Sequence, residues 1–203
     1  KQIDMKRTPL SLVLLFTVLV LNGCQQSEKK ELHLNALFTD HMVLQQKKEV
    51  AFWGRYTPNE EIIVHGSWGS ESSCVADAFG QWKLSIATPK AGGPYEVTIR
   101  TKSTTKSIKD VLIGEVWLAS GQSNMEMDFD YCCNTTDFSE LERATANYPN
   151  IRMINVKKQL SLTPVQEFEG TWKQAIGDSI INFSAAGYFF AKRLHKKLNV
   201  PIG

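Results

Sequence analysis

The sequence lacks most of the signatures that mark metal, nucleotide and phosphate sites. It has four cysteines in 203 residues, and no two of them are spaced as C-x-x-C, which disfavours a zinc site. It also has no glycine-rich phosphate loop, no heptad repeat and no internal repeat. We therefore expect neither a metal nor an organic cofactor.

An excess of charge of one sign is also missing. The formal net charge is +2, whereas nucleic-acid binding depends on basic side chains that neutralise phosphates. We expect no nucleic-acid partner. With 42% hydrophobic and 22% charged residues the composition is that of a globular protein, which excludes a disordered tail.

No apolar run is long enough to span a membrane. The longest biased stretch, residues 10–21, has twelve residues, and a span needs roughly 20. Lys6 and Arg7 precede it and Leu21-Asn22-Gly23-Cys24 follows, which predicts a secretion signal over residues 1–23 that ends in a lipobox. A short buried helix is the alternative.

The N-terminus resembles bacterial lipoprotein signals. That resemblance implies cleavage before Cys24, a lipid on its sulfur, and attachment to a bacterial membrane on the periplasmic or external side. Residues 24–33 would then form a tether between the lipid and the first folded element. Any membrane contact would come from the lipid, because no basic patch is present.

The other cysteines leave several states open. Cys74 lies in a strand-rich region, and Cys132 and Cys133 are adjacent. In an oxidising compartment Cys74 could pair with either member of the doublet, or the doublet could close on itself. Free thiols are the remaining alternative.

Residues 34–109 have the pattern of a small all-β domain. Strand-like runs alternate with glycine-containing turns, and in residues 81–86 apolar and polar residues alternate as in a sheet with one buried face. We predict a β-sandwich. Trp53, Trp68 and Trp82 could form a sugar-stacking face or part of the core. The predicted strands are residues 42–46, 50–53, 61–65, 81–86 and 95–101.

Residues 110–203 indicate the opening part of an α/β domain. Residues 111–118 are apolar at nearly every position, as in a strand covered on both faces. We predict a helix within residues 136–148 with Leu141 and Ala144 inward, a strand over residues 151–156, and a loop over residues 169–181 that carries Trp172.

A longer helix is predicted from Ser184 to a stop at residues 199–201. Its apolar stripe would face the core and its lysines and arginine would face water. The stripe consists of Ala185, Phe189, Phe190, Leu194 and Leu198, and the solvated residues are Lys192, Arg193, Lys196 and Lys197.

Ser123 lies shortly after the apolar run of residues 111–118, in the segment Leu118-Ala119-Ser120-Gly121-Gln122-Ser123. A serine held at the end of a buried strand can present its hydroxyl to a base and a substrate carbonyl. The G-x-S-x-G nucleophile elbow is absent. From the spacing alone, Ser123 is either a nucleophile or an ordinary turn serine.

Residues 114–127, GEVWLASGQSNMEM, resemble the first conserved block of the sialate O-acetylesterases. These are serine esterases with a catalytic domain of the SGNH-hydrolase type. Residues 38–46, 50–54 and 183–191 support the resemblance. It implies an SGNH-like three-layer α/β domain over residues 110–203, incomplete here, after the all-β sandwich.

The resemblance implies that Ser123 attacks an acetyl carbonyl and that its own backbone N–H is one oxyanion donor. Gln122 and Asn124 flank it and could donate to the oxyanion or to the sugar, or merely stabilise the turn. The family's further oxyanion donors and its Asp-x-x-His are expected beyond residue 203. His33, His41, His65 and His195 are candidate bases by residue type only.

The function implied is that of a lipid-anchored, extracytoplasmic carbohydrate O-acetylesterase. Its partner would be an acetylated carbohydrate, either an O-acetylated sialic acid or an acetylated polysaccharide such as xylan. A second hypothesis is a catalytically inert glycan-binding surface lipoprotein.

Overall fold

The computed structural model describes residues 31–130 and 137–203. The predicted signal, Cys24, Cys132 and Cys133 lie outside the described residues. Within the described residues, helices, strands and a 3-10 turn follow one another. In order they are β1 (His33–Leu34), β2 (Val43–Gln45), β3 (Glu49–Arg55), β4 (Glu61–Gly66), β5 (Glu71–Val75), β6 (Gln81–Ala87), β7 (Gly92–Arg100), β8 (Thr105–Gly114), α1 (Ser123–Glu126), α2 (Asp137–Thr145), β9 (Asn147–Met153), β10 (Lys173–Ile176), the 3-10 turn (Gly177–Ile180) and α3 (Ala185–Leu198).

Two sheets enclose the first core. One has the order β1-β3-β6 and the other β2-β8-β7-β4-β5. All their pairings are antiparallel except that of β2 with β8, which is parallel. The fully buried side chains of Phe52, Ile62, Val64, Val97 and Ile99 come from both sheets and belong to one cluster. The structure is therefore a mixed, sheet-rich α/β structure.

The alternation predicted for β6 is confirmed. Trp82, Leu84 and Ile86 are buried, and each residue between them is exposed. Because side chains on a strand point alternately to the two faces of a sheet, one face of β6 lies on the core and the other faces outward. Trp82 is thus a core residue, while Trp53 and Trp68 are partly buried at the edge of the same core.

A second core lies between α3, β9 and β10. Tyr188 of α3, Phe129, Ile151 and Ala175 are among its most buried members. Ile202 lies in the same cluster and forms parallel bridges with both Glu115 and Ile151. The chain segments around residues 115, 202 and 151 therefore lie side by side in parallel.

The predicted strand over residues 111–118 is wrong at both ends. β8 begins at Thr105 and ends at Gly114, because that is where its pairing with β2 and β7 stops. Glu115 then pairs with Ile202 instead, and the side chains of residues 116–118 are exposed. The apolar run thus spans two structural settings.

The second helix was predicted with the wrong face inward. α2 exists within the predicted range, but Leu141 and Ala144 are exposed and Glu142 is buried. Glu142 accepts a hydrogen bond from Tyr188 Oη at 2.6 Å and is ion-paired with Lys192. A buried carboxylate with two partners therefore orients this helix.

The bounds of α3 were predicted correctly, and its inward face was correct in part: Ala185 is buried, and Phe189 and Leu194 pack against the second core. Ser184 Oγ accepts a hydrogen bond from Gly187 N–H as the N-cap, and Asn199 ends the helix in the left-handed conformation. The buried residues are Ala185, Gly187, Tyr188 and Ala191, whereas Phe190 and Leu198 are exposed. Lys192 faces Glu142 rather than water alone.

Residues 169–181 are not the predicted loop. They include β10 and the 3-10 turn, and β10 pairs antiparallel with β9. Trp172 is buried in the first core, where its indole N–H donates to the Leu37 carbonyl at 2.9 Å.

Over the described residues, no helix is both long and apolar enough to cross a membrane.

Candidate active site

Ser123 is the first residue of α1, a single helical turn. The turn is closed by backbone hydrogen bonds from Met125 and Glu126 to the Gln122 carbonyl, at 2.9 and 3.0 Å. Gln122, Ser123 and Asn124 are all exposed. The three predicted site residues therefore lie together on an accessible turn.

The chain enters this turn from a clamped position at the end of β8. Glu115 accepts hydrogen bonds from the side-chain amides of Gln45, at 3.0 Å, and Gln46, at 2.7 Å. Gln45 Oε1 in turn accepts from the Val116 N–H at 2.8 Å. These two amides lower the pKa of Glu115, which keeps it an ionised acceptor.

Trp117 fixes the next part of the approach. Its backbone N–H donates to the Gly203 carbonyl at 2.9 Å. Its ring meets Phe190 of α3 edge to face, with the centroids 5.1 Å apart. The exposed segment before Ser123 is thus attached to α3 and to the parallel segment that contains Ile202.

The chain leaves the turn along the N-terminus of α3. Ala185 N–H donates to the Met127 carbonyl at 2.9 Å, and Ser184 Oγ lies 3.3 Å from Met125 Sδ. Asp128 and Ser184 form an antiparallel bridge. Both ends of the Ser123 turn are therefore held, which is the condition for presenting a hydroxyl in a fixed direction.

Comparisons with known proteins show what this chain is similar to. No family model matches the chain. The sialate O-acetylesterase of Mus musculus is 32% identical over 182 residues, and the match covers 81% of this chain and 33% of that protein. The enzyme of Homo sapiens is 31% identical over 180 residues, and the match covers 80% of this chain and 34% of that protein.

A solved structure of an acetylesterase is also similar to this chain. The crystal structure of a carbohydrate acetylesterase from Xanthomonas citri matches with a TM-score of 0.79 and 36% identity, over 85% of this chain and 39% of that one. The chain is a homologue of the sialate O-acetylesterases. It spans about a third of the length of the curated relatives it matches. The resemblance found in the sequence is confirmed.

In this sialate O-acetylesterase homologue, three of the four histidines form hydrogen bonds with residues outside the Ser123 turn. His33 Nε2 lies 3.1 Å from Glu167 Oε2, His41 Nδ1 lies 2.6 Å from Asp110 Oδ2, and His195 Nδ1 lies 2.7 Å from the Val200 carbonyl.

The fourth histidine, His65, lies on β4 in the five-stranded sheet. Within the described residues, no hydrogen bond joins any of the four histidines to Ser123. None is therefore assigned as its base.

Asp128 and Glu126 follow the serine and also have structural contacts. Glu126 pairs with Lys158, and Asp128 takes part in the bridge to Ser184.

Cys74 is a free thiol whose pKa is raised by burial, which makes it a poor nucleophile. Over the described residues, no cluster of three or more His, Cys, Asp or Glu could hold a metal ion.

Sequence reasoning missed the clamp formed by Gln45, Gln46 and Glu115. Their side chains are about 70 positions apart in the chain, and the contact depends on the parallel pairing of β2 with β8. A signal was present, because both glutamines end a predicted strand and Glu115 follows a glycine in the serine block. No rule of sequence spacing connects these glutamines with Glu115.

Proposed function

We propose that the protein is a carbohydrate O-acetylesterase that removes acetyl groups from sialic acids or related acetylated sugars. The observation that supports this most is the exposed Ser123 on a turn held at both ends, in a homologue of sialate O-acetylesterases. The reaction is the hydrolysis of a carboxylic ester through a serine nucleophile.

In the proposed mechanism, Ser123 Oγ attacks the acetyl carbonyl carbon while a general base takes the hydroxyl proton. The carbonyl carbon becomes tetrahedral and its oxygen an oxyanion; collapse of this intermediate breaks the bond to the sugar oxygen, which takes the proton back from the base and leaves as a hydroxyl, and an acetyl-serine remains. The base then takes a proton from water, which attacks this ester; the proton passes to Ser123 Oγ, and the serine hydroxyl is restored as acetate is released. Each step needs a base and donors to the oxyanion.

The turn itself supplies candidate donors. We propose the backbone N–H of Ser123 as one oxyanion donor, with the side chains of Gln122 and Asn124 donating to the oxyanion or to the sugar. The exposure of both side chains is consistent with substrate contact. None of the four histidines is assigned as the general base. The mechanism requires no metal or cofactor.

Two substrate classes fit this chemistry. The relatives from mouse and human are named sialate O-acetylesterases, and the bacterial neighbour is described as a carbohydrate acetylesterase. We propose O-acetylated sialic acid as the first substrate to test, and an acetylated polysaccharide such as xylan as the second.

We further propose the architecture and location that the sequence indicates. Residues 1–23 would be a lipoprotein signal, residues 24–33 a tether, residues 34–109 an all-β sandwich domain, and residues 110–203 the first part of an SGNH-type domain. Lipid on Cys24 would hold the protein on a bacterial membrane outside the cytoplasm. Labelling with a radioactive fatty acid, with Cys24→Ala as the control, tests the anchor.

The activity is tested by measuring acetate release from an O-acetylated sialic acid and from acetylated xylan. The full-length protein is compared with Ser123→Ala and with Ser120→Ala, a matched exposed serine on the same approach. We expect Ser123→Ala to lose about 10⁴-fold or more in kcat, because the nucleophile is gone, and Ser120→Ala to retain activity. Equal turnover by wild type and Ser123→Ala would refute the proposal.

The second hypothesis, an inert glycan-binding lipoprotein, is supported by a groove in the β-rich part, described below. It predicts saccharide binding without Ser123-dependent acetate release. The same assay therefore separates the two functions.

A further inference from the structure

A groove of about 660 Å³ lies on the outer face of the β1-β3-β6 sheet. Small-molecule sites in proteins have volumes of about 300–1,000 Å³, so a mono- or disaccharide is of a suitable size. None of Gln122, Ser123 and Asn124 lines this groove. Its residues are not used by the proposed hydrolysis.

Strand register explains which side chains meet there. Trp53 of β3 lies directly opposite Lys83 of β6, and Arg55 lies opposite Gln81. Residues opposite each other, and residues two apart on one strand, point to the same face. An indole, two cations and an amide therefore share one surface, and all four side chains line the groove.

The facing wall comes from a distant part of the chain. Residues 165–167 line the groove from the other side. Asn35 Nδ2 donates to the Gln166 carbonyl at 2.7 Å, and His33 contacts Glu167. These contacts hold the wall against the N-terminal strand, so the groove is a bounded site rather than an open sheet face.

The charges in the groove are not equally satisfied. Asp77 Oδ1 accepts the N–H groups of Phe79 and Gln81, at 2.8 and 2.9 Å. Glu167 is bonded to His33. Neither Arg55 nor Lys83 forms an ion pair or side-chain hydrogen bond with another described residue. Arg55 and Lys83 are therefore the charged side chains of the groove that have no partner among the described residues, and they remain available to bind an anionic group.

Trp53 adds a flat apolar surface beside these cations. Its ring is held edge-on by Phe38, with centroids 4.7 Å apart, and it is only partly buried. A sugar ring presents C–H groups that pack on an indole, and a carboxylate is the group that an arginine binds best, through two parallel hydrogen bonds.

We propose that this groove binds an acidic saccharide, with a sugar ring on Trp53 and the carboxylate between Arg55 and Lys83. The inference rests on the proposed function for its ligand class, a saccharide, but requires no catalysis. The groove binds the unacetylated sugar as well as the ester, because none of its contacts involves an acetyl group.

The test is a calorimetric titration of the full-length Ser123→Ala protein with sialyllactose, which carries a carboxylate, and with lactose, which does not. We expect sialyllactose to bind more tightly than lactose. Arg55→Gln removes a charge-assisted contact and should weaken sialyllactose binding by about tenfold. Lys83→Gln should weaken it by a similar factor, and neither substitution should alter lactose binding.

Lys106→Gln is the matched control, because Lys106 is exposed on β8 and does not line the groove. It should leave the affinity for sialyllactose unchanged. Arg55 and Lys83 are both exposed, so their variants should fold normally, whereas Trp53→Ala also removes packing against Phe38.

Two results would overturn the proposal. One is the absence of sialyllactose binding, and the other is binding that Arg55→Gln and Lys83→Gln leave unchanged. In parallel, Arg55→Gln and Lys83→Gln are made in the protein that retains Ser123, and the hydrolysis of a small acetyl ester is measured. Binding without hydrolysis would contradict the proposed function alone, and hydrolysis without binding would contradict the groove alone.

Discussion

The buried guanidinium of Arg152 lies 3.0 Å from the Asp110 carboxylate. Arg152 is on β9 and its side chain is only 3% exposed, whereas Asp110 is on β8. Arg152 also donates to the backbone carbonyls of Pro149, at 2.6 Å, and His41, at 3.2 Å. One side chain thus links β9 to β8 and to the segment before β2.

Replacing Arg152 should destabilise the protein strongly. In Arg152→Met the stem volume is retained, but Asp110 loses its guanidinium partner and keeps only His41, and the Pro149 and His41 carbonyls lose a donor. We expect a loss of about 3 kcal/mol, because removal of one partner leaves a partly buried charge less well compensated. Urea unfolding measures it, and Arg193→Met on the exposed side of α3 is the control. Equal midpoints for the two variants would contradict the prediction.

Asp110 should make the stability depend on acid pH. Partial burial raises its pKa, but hydrogen bonds from His41 and Arg152 and the charge of Arg152 outweigh this and lower the pKa below its ordinary value. The carboxylate is thus more acidic folded than unfolded. Its stabilisation is present above the unfolded pKa of about 4 and is lost as the pH falls through the folded pKa.

The measurement is the unfolding midpoint of wild type and Asp110→Asn between about pH 7 and pH 2. We expect Asp110→Asn to be less stable at neutral pH and to lose less stability on acidification, because it has no proton to gain at this site. Asp178→Asn, in a surface pair with Arg143, is the matched control. Parallel pH profiles for wild type and Asp110→Asn would rule out this role.

Local patterns predicted elements well where one physical cue decides them. β6 alternates because one of its faces lies on the core, and α3 ends where Ser184 and Asn199 cap it. The failures occurred where a distant contact decides the structure. Glu142 turns α2 inward because Tyr188 and Lys192 lie opposite it, and no feature of the local sequence indicates those partners.

The site was predicted in the same uneven way. Ser123 and its neighbours were identified by resemblance, and the structure places them on one accessible turn. The contacts that hold this turn, Gln45 with Glu115 and Trp117 with Phe190, join residues about 70 positions apart and could not be predicted from periodicity.

Glu142 should contribute stability through its two partners. It accepts from Tyr188 and pairs with Lys192, and the net effect of these partners is to lower its pKa although burial raises it. Glu142→Ala leaves a fully buried phenol and a partly buried ammonium without their acceptor. We expect a loss of about 3 kcal/mol.

The control for this change is Glu140→Ala, because Glu140 is exposed on the same helix. It should alter the free energy of unfolding by about 0.5 kcal/mol or less. Glu142→Gln keeps an acceptor for Tyr188 and should fall between the two. Thermal or urea unfolding of the three variants ranks them, and an equal effect of Glu140→Ala and Glu142→Ala would refute the assignment.

Glu115 should act as a positioning residue for Ser123. In Glu115→Gln one carboxylate oxygen becomes an NH₂ group, which is a donor and cannot accept a hydrogen bond. Only one of Gln45 and Gln46 then keeps its acceptor. The segment leading to the serine turn would lose part of its clamp. A small displacement of a nucleophile lowers the rate, and we expect kcat for acetate release to fall by about ten- to a hundredfold with little change in KM.

The full-length protein is assayed on an O-acetylated sialic acid, with Glu49→Gln, an exposed glutamate at the start of β3, as the matched control. Thermal unfolding of each variant is measured alongside the kinetics. A purely structural role would lower the unfolding temperature and the amount of active enzyme without altering kcat per active site, as determined by titration with a serine-directed inhibitor. A reduced kcat per titrated site with an unchanged KM is the result that assigns positioning to Glu115, because only the orientation of the serine turn connects this carboxylate to the ester.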